Sequence, residues 1–99
     1  MWQSVELHFA GDHSTAAGHF PSNPIVPGAL MLDEVVAAIA GDSGVLIRAA
    51  KFLRPVCPGE SVNLRWQALA GGAVKFECRL AGQDGLAMTG TLEIGPMRL

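Results

Sequence analysis

Hydrophobic and polar positions alternate along the second half of the chain. Val62, Leu64, Trp66 and Ala68 share one parity, and Asn63, Arg65 and Gln67 share the other. Val74, Phe76, Cys78 and Leu80 alternate in the same way with Lys75, Glu77 and Arg79. Leu86, Met88, Leu92 and Ile94 are set against Thr89, Thr91 and Glu93. A period of two predicts antiparallel strands with one wet face. Pro58-Gly59 and Gly71-Gly72 predict turns between them, and residues 82–85 a returning loop. Residues 45–53 predict a strand closed by Arg54-Pro55, and residues 5–10 a short first strand. The period changes between these two. Gly28–Ala40 predicts a helix with almost no polar face, opened by Pro27-Gly28 and ended by Gly41. A helix apolar on nearly all sides is expected to be buried nearly all round. The predicted order is strand, helix, then four strands in hairpin succession. The fold class is α+β, with an antiparallel sheet wrapped around one long central apolar helix. Residues 1–99 are expected to form a single domain.

The segment from Gly11 to Pro27 fits neither period. It holds His13, Gly18, His19 and the prolines at 21, 24 and 27. Each proline fixes its own φ and restricts the residue before it, so the segment loses little entropy in holding one shape. A stiff loop is what a positioned catalytic group needs. A lone histidine is nevertheless more often a satisfied loop or core residue than a catalyst. Asp33 and Glu34 add weight to the catalytic reading, because they interrupt an otherwise apolar helix. Neighbouring helical residues point about 100° apart, so at most one of the two can easily face a given cleft. If such a carboxyl is buried it must be paired or protonated, and a protonated acid near a neutral histidine can move protons. If both lie on an exposed strip they are ordinary solvated charges. Gly28 supplies a third element, a helix N-terminus with no side chain to keep a ligand oxygen away.

Composition narrows the classes. The chain is 49% hydrophobic and 16% charged, with a formal net charge of −2. So apolar a small chain is expected to cover part of its surface with a second copy, and an open sheet edge is the natural place. An acidic balance does not suit general nucleic-acid binding. Residues 1–10 lack the apolar run of a signal peptide, and the apolar stretch at 28–41 is too short and too interrupted to span a bilayer. The expected location is cytoplasmic, with no membrane partner. Cys57 and Cys78 form no metal-ligand cluster, and no metal or cofactor is expected. Cys78 reads as a small buried hydrophobe and Cys57 as a turn residue.

Two motifs carry a resemblance. The stretch GHFPSNPIVPGALMLDEV resembles the active-site segment of the hot-dog-fold 3-hydroxyacyl-acyl-carrier-protein dehydratases, whose pattern is close to H-F-P-G-x-P-[IV]-M-P-G-x-L-x-L-[ED]. The stretch KFLRPVCPGESV is similar to the family's strand–turn segment. The resemblance implies that His19 removes the α-proton of a thioester and that Asp33 protonates the departing 3-hydroxyl. It implies that the Gly28 N–H meets the thioester carbonyl. It further implies a homodimer whose sites draw histidine and acid from different subunits, with higher assembly left open, and an acyl carrier protein as the partner that delivers substrate. Glu34 has no role in the pattern and is expected outside the site. Ser22 stands where the family usually has glycine, and Val26 where it usually has methionine. The chain is also shorter than typical members. A narrower similarity is to small dehydratase-like proteins of secondary pathways such as aryl-polyene synthesis.

The implied activity is dehydration of a 3-hydroxyacyl thioester to the trans-2-enoyl thioester, in fatty-acid or polyene-type biosynthesis. Two alternatives stand beside it: a hot-dog acyl-thioesterase and a non-catalytic binding subunit. Arg48, Lys51 and Arg54 could form a basic patch for an acidic carrier, or be solvated charges. Trp2, Phe9, Met31, Trp66 and Met88 could line an acyl tunnel, although core packing suits them better.

Overall fold

A computed structural model describes residues 1–9, 25–81 and 85–95. Five strands and one helix occur in it: β1 (Gln3–His8), α1 (Gly28–Ala40), β2 (Gly44–Phe52), β3 (Ser61–Ala68), β4 (Ala73–Leu80) and β5 (Leu86–Gly95). The helix has the expected bounds. Pro27 precedes it with φ −58° and ψ 140°, accepts the N–H groups of Leu30 and Met31, and cannot itself extend the helix backward. Gly41 ends it at φ +59°, a conformation that favours glycine, and returns its N–H to the Ala37 carbonyl.

All strand pairings are antiparallel, in the order β1-β3-β4-β5-β2. This corrects the expected hairpin succession. β3, β4 and β5 do follow one another, through a short 3-10 turn at Ala70–Gly72 and the return before β5. β2 does not pair with β3. It pairs with β5 at one edge, while β1 pairs with β3 at the other. Segment 53–60 therefore has to pass two strands to begin β3, roughly 14 Å at the usual strand spacing, well within the reach of eight residues. The residues of β2 mark it as a strand but not which strand lies alongside.

The crossing segment is fastened along its length. The N–H groups of Leu53 and Arg54 both donate to the Ala87 carbonyl, at 2.8 and 3.3 Å. Ala87 can accept both because it is an extra residue in β5, where the β4–β5 register slips after Cys78. Val56 is fully buried, and its carbonyl accepts the Val26 N–H at 2.6 Å. Further on, the Phe9 N–H donates to the Glu60 carbonyl and the Gly59 N–H to the Phe9 carbonyl.

The core lies between α1 and one face of the sheet. Phe76, Leu64, Met88, Leu92, Val62 and Cys78 come from the strands, and Met31 and Val35 from the helix. Phe76 stands opposite Gly90, and a methyl group built on Gly90 would come 2.6 Å from the Phe76 ring. Gly90 is thus the space that the ring occupies. The expectation of a helix buried nearly all round needs correction at the level of one chain. Only Met31 and Val35 are buried, while Ala29, Asp33, Glu34, Ala37 and Ala38 are exposed. The reason is geometric: a single sheet covers one side of a helix and leaves the other side open.

Candidate functional site

The site region grows from two segments tied together. One is 25–28, which leads into α1; the other is 52–56, which leaves β2. The Val26–Val56 hydrogen bond joins them, and both valines are buried. The segments border a cleft of about 350 Å³, lined by Ile25, Val26, Gly28 and Met31 on one side and by residues 52–56 on the other. Its walls are almost wholly apolar, and Arg54 is the one charged side chain among the described lining residues. Gly28 opens α1 at this point. A Cβ on Gly28 would lie 2.9 Å from the Phe52 ring, so the closeness of that ring requires glycine. The positive end of the helix and the apolar cleft are therefore adjacent.

Of the residues singled out in the sequence, Gly28 falls in this cleft. Asp33 does not line it. Five residues along a helix turn the side-chain direction by about 140° and advance it by about 7.5 Å. Asp33 accordingly lies on the exposed strip with Ala29 and Ala37, and Glu34 is exposed beside it. No charged side chain is buried among the described residues, so the buried-carboxyl alternative does not hold within one protomer. His19 and Ser22 lie outside the described residues, as does His13. Val26 sits comfortably in the core, 3% exposed, in the place usually given to methionine.

The proposed basic patch does not form as one surface. Arg48 is paired with Glu93 across β2 and β5. Arg54 lines the cleft, and Lys51 lines a separate depression with Lys75. Among the five large side chains considered for a tunnel, Met31 lines the cleft. Phe9 and Met88 are core residues, and Trp66 packs partly buried against them. Trp2 covers the Arg65 guanidinium, 4.3 Å from ring centroid to Cζ.

Sequence reading missed the wall made by residues 52–56. Its sequence signal was the apolar pair Phe52-Leu53 closing a strand just before Arg54-Pro55; in the structure both are about half exposed. Exposed apolar residues at a strand end suggest a covered or ligand-facing surface. The exposed set continues along the open edge with Leu46 and Ile47.

Comparison with known proteins agrees with this architecture. Residues 3–91 match the family model described as ApeI-like, ApeI dehydratase. The 3-hydroxyacyl-[acyl-carrier-protein] dehydratase FabZ of Allorhizobium ampelinum is 36% identical over 94 residues, covering 81% of this chain and 60% of that protein. The enzyme of the same name from Legionella pneumophila strain Corby is 38% identical over 84 residues, covering 79% and 55%. The chain thus spans little more than half the length of these curated relatives. A solved structure described as the dehydratase heterocomplex ApeI:P from Xenorhabdus doucetiae superposes with a TM-score of 0.75 at 23% identity, covering 94% of this chain and 86% of that one. The fold is the hot-dog fold.

Proposed function

Because the chain belongs to the ApeI-like dehydratase family, we propose that it converts a 3-hydroxyacyl thioester to the trans-2-enoyl thioester and water. The observation that carries this reading is the apolar cleft ending at Gly28, within a segment that matches the dehydratase motif. The acyl chain lies along Met31 and residues 52–56. Its thioester carbonyl points at the Gly28 N–H, where the helix dipole favours the negative charge that develops on oxygen. Neutral His19 takes the C2 proton. The C2–H electron pair forms the C2–C3 double bond, the C3–O bond breaks, and an Asp33 carboxyl protonates the leaving hydroxyl as water. Proton return from the imidazole to the carboxylate resets the site.

The angle between Gly28 and Asp33 supports an acid supplied by a second subunit. The β2 edge suits that pairing, with Leu46 and Ile47 about half exposed along it. Two such edges joined antiparallel would extend the sheet across a twofold axis. They would also bring each exposed helix strip toward the other protomer. The acyl group arrives on an acyl carrier protein, the substrate form named for both FabZ relatives. A second reading of the assembly follows from the Xenorhabdus structure, which is described as a heterocomplex: a different chain, rather than a second copy, pairs with this one. The mass of the purified chain separates the two, since a homodimer forms alone and a heterodimer subunit stays single.

The test is an assay with 3-hydroxyacyl carriers. The expected outcome is enoyl absorbance without release of free thiol. His19→Ala is expected to reduce turnover by about 10²–10⁴-fold while the fold survives. Mixing His19→Ala chains with Asp33→Asn chains is expected to restore activity in mixed dimers. Thiol release would instead indicate a thioesterase, and substrate binding indifferent to His19 would indicate a non-catalytic subunit.

A further inference from the structure

The outer face of the sheet, opposite α1, carries a feature that the dehydratase reading does not use. Two ion pairs hold four of its charges. Arg65 bonds Glu77 through both Nε and a terminal nitrogen, at 2.8 and 2.7 Å, and Arg48 is paired with Glu93. Lys51 and Lys75 belong to neither pair and share one depression. Neither has an acidic partner among the described residues, although the chain has an excess of acids. The two lysines border one depression of about 220 Å³, shared with Thr89, Thr91, Ala49 and the Gly90 backbone.

The register explains why the lysines converge. Lys75 on β4 stands beside Thr91 on β5, which stands beside Ala49 on β2. One row away, Thr89 stands beside Lys51 on β2. The lysines are therefore two strands and two residues apart, with Cα atoms roughly 12 Å apart on a regular sheet. Each has a flexible four-carbon stem, so both ammonium groups can meet over the threonines of the central strand. Ala49, beside Thr91, carries only a methyl group and leaves the floor low.

We infer that Lys51, Lys75, Thr89 and Thr91 form an anion site for a phosphate group, separate from the apolar cleft. Two ammonium groups match its charge, and two hydroxyls can donate to further oxygens. A depression of this size holds one phosphate and the first atoms attached to it. The phosphate can come from free inorganic phosphate or from a phosphorylated carrier such as coenzyme A, and the two sources differ in what lies beyond the shared group.

The experiment is a titration of the full chain, followed through its backbone amide resonances, with inorganic phosphate and, in parallel, coenzyme A. Sodium chloride matched for ionic strength provides the screening control. The expected result is a saturable shift centred on Thr89, Thr91 and Lys75 that chloride does not reproduce. Tighter binding of coenzyme A at the same resonances assigns the site to a phosphorylated carrier; equal or weaker binding assigns it to free phosphate. Both lysines are exposed, so Lys51→Ala with Lys75→Ala is expected to leave the fold intact and weaken binding about tenfold or more. The Lys51→Arg, Lys75→Arg chain, which keeps the charge, is expected to recover binding. Shifts that fail to saturate, that match those in chloride, or that persist unchanged in the double alanine chain would overturn the inference. So would a response at these residues to an acidic protein but not to phosphate.

Discussion

Cys78 shows how much a single position can be controlled by its surroundings. It is fully buried between Leu64 on β3 and Met88 on β5, and burial pushes its thiol up to about 12 from the ordinary 9.0. Below pH 9.0 the folded and unfolded chains both keep the proton, and the site's contribution to stability is full. As pH rises toward 12 the unfolded chain loses its proton first, so stability falls, with a slope approaching about 1.4 kcal/mol per pH unit. Urea unfolding between pH 8.5 and 10.5 is expected to show this extra loss in the wild type and not in Cys78→Ala. Cys57 is exposed and free. A thiol reagent at neutral pH is expected to label Cys57 in the native protein and to reach Cys78 only after unfolding.

Gly90 makes the same point through space rather than charge. The site that a side chain would take is filled by the Ala49 carbonyl oxygen of β2 and by the Phe76 ring. Gly90→Ala is expected to destabilise the fold by about 1–3 kcal/mol, measurable as a lower denaturant midpoint with an unchanged slope. A destabilisation well under that range would show that both the ring and the β2 backbone can give way.

At the scale of elements, the sequence was most informative where local chemistry decides. Pro27 and Gly41 bracket α1, and their backbone restrictions are properties of those residues alone. Strict alternation placed Val62, Leu64, Val74, Phe76, Cys78 and Leu80 on the buried face, where they lie. Pairing order was not legible in the same way. The loop 53–60 contains Pro58-Gly59, a turn signal that a hairpin and a crossover share. What decides between them is the hold of Ala87, Val26 and Phe9 on that loop, and those contacts are distant in sequence. β2 also hides its faces. Arg48 is an extra residue relative to β5, so Val45 and Ile47 share a face with Ala50 and Phe52 rather than with Ala49 and Lys51. The candidate site was legible in part for similar reasons. Gly28 is marked by the proline before it and the helix after it, whereas the wall from 52–56 depends on the crossover.

For the whole molecule, the open edge is the decisive surface. Leu46, Ile47, Phe52 and Leu53 lie in or just after β2, and α1 turns Ala29, Ala37 and Ala38 outward in the single chain. Ile47→Glu places a charge at that edge, where the native side chain is about half exposed on the face it shares with Leu92. Light scattering is expected to show the mass falling from dimer to monomer, with activity lost and the circular dichroism spectrum retained. A dimer that persists in this variant would move the interface elsewhere.

The offset at Arg48 also bears on which chains can share a sheet. A smooth strand laid along β2 would match its faces on one side of that residue and present the wrong ones beyond it. Under the proposed pairing through β2, such an edge sorts its company. It accepts a neighbour with a compatible irregularity and leaves the others with a polar row turned inward.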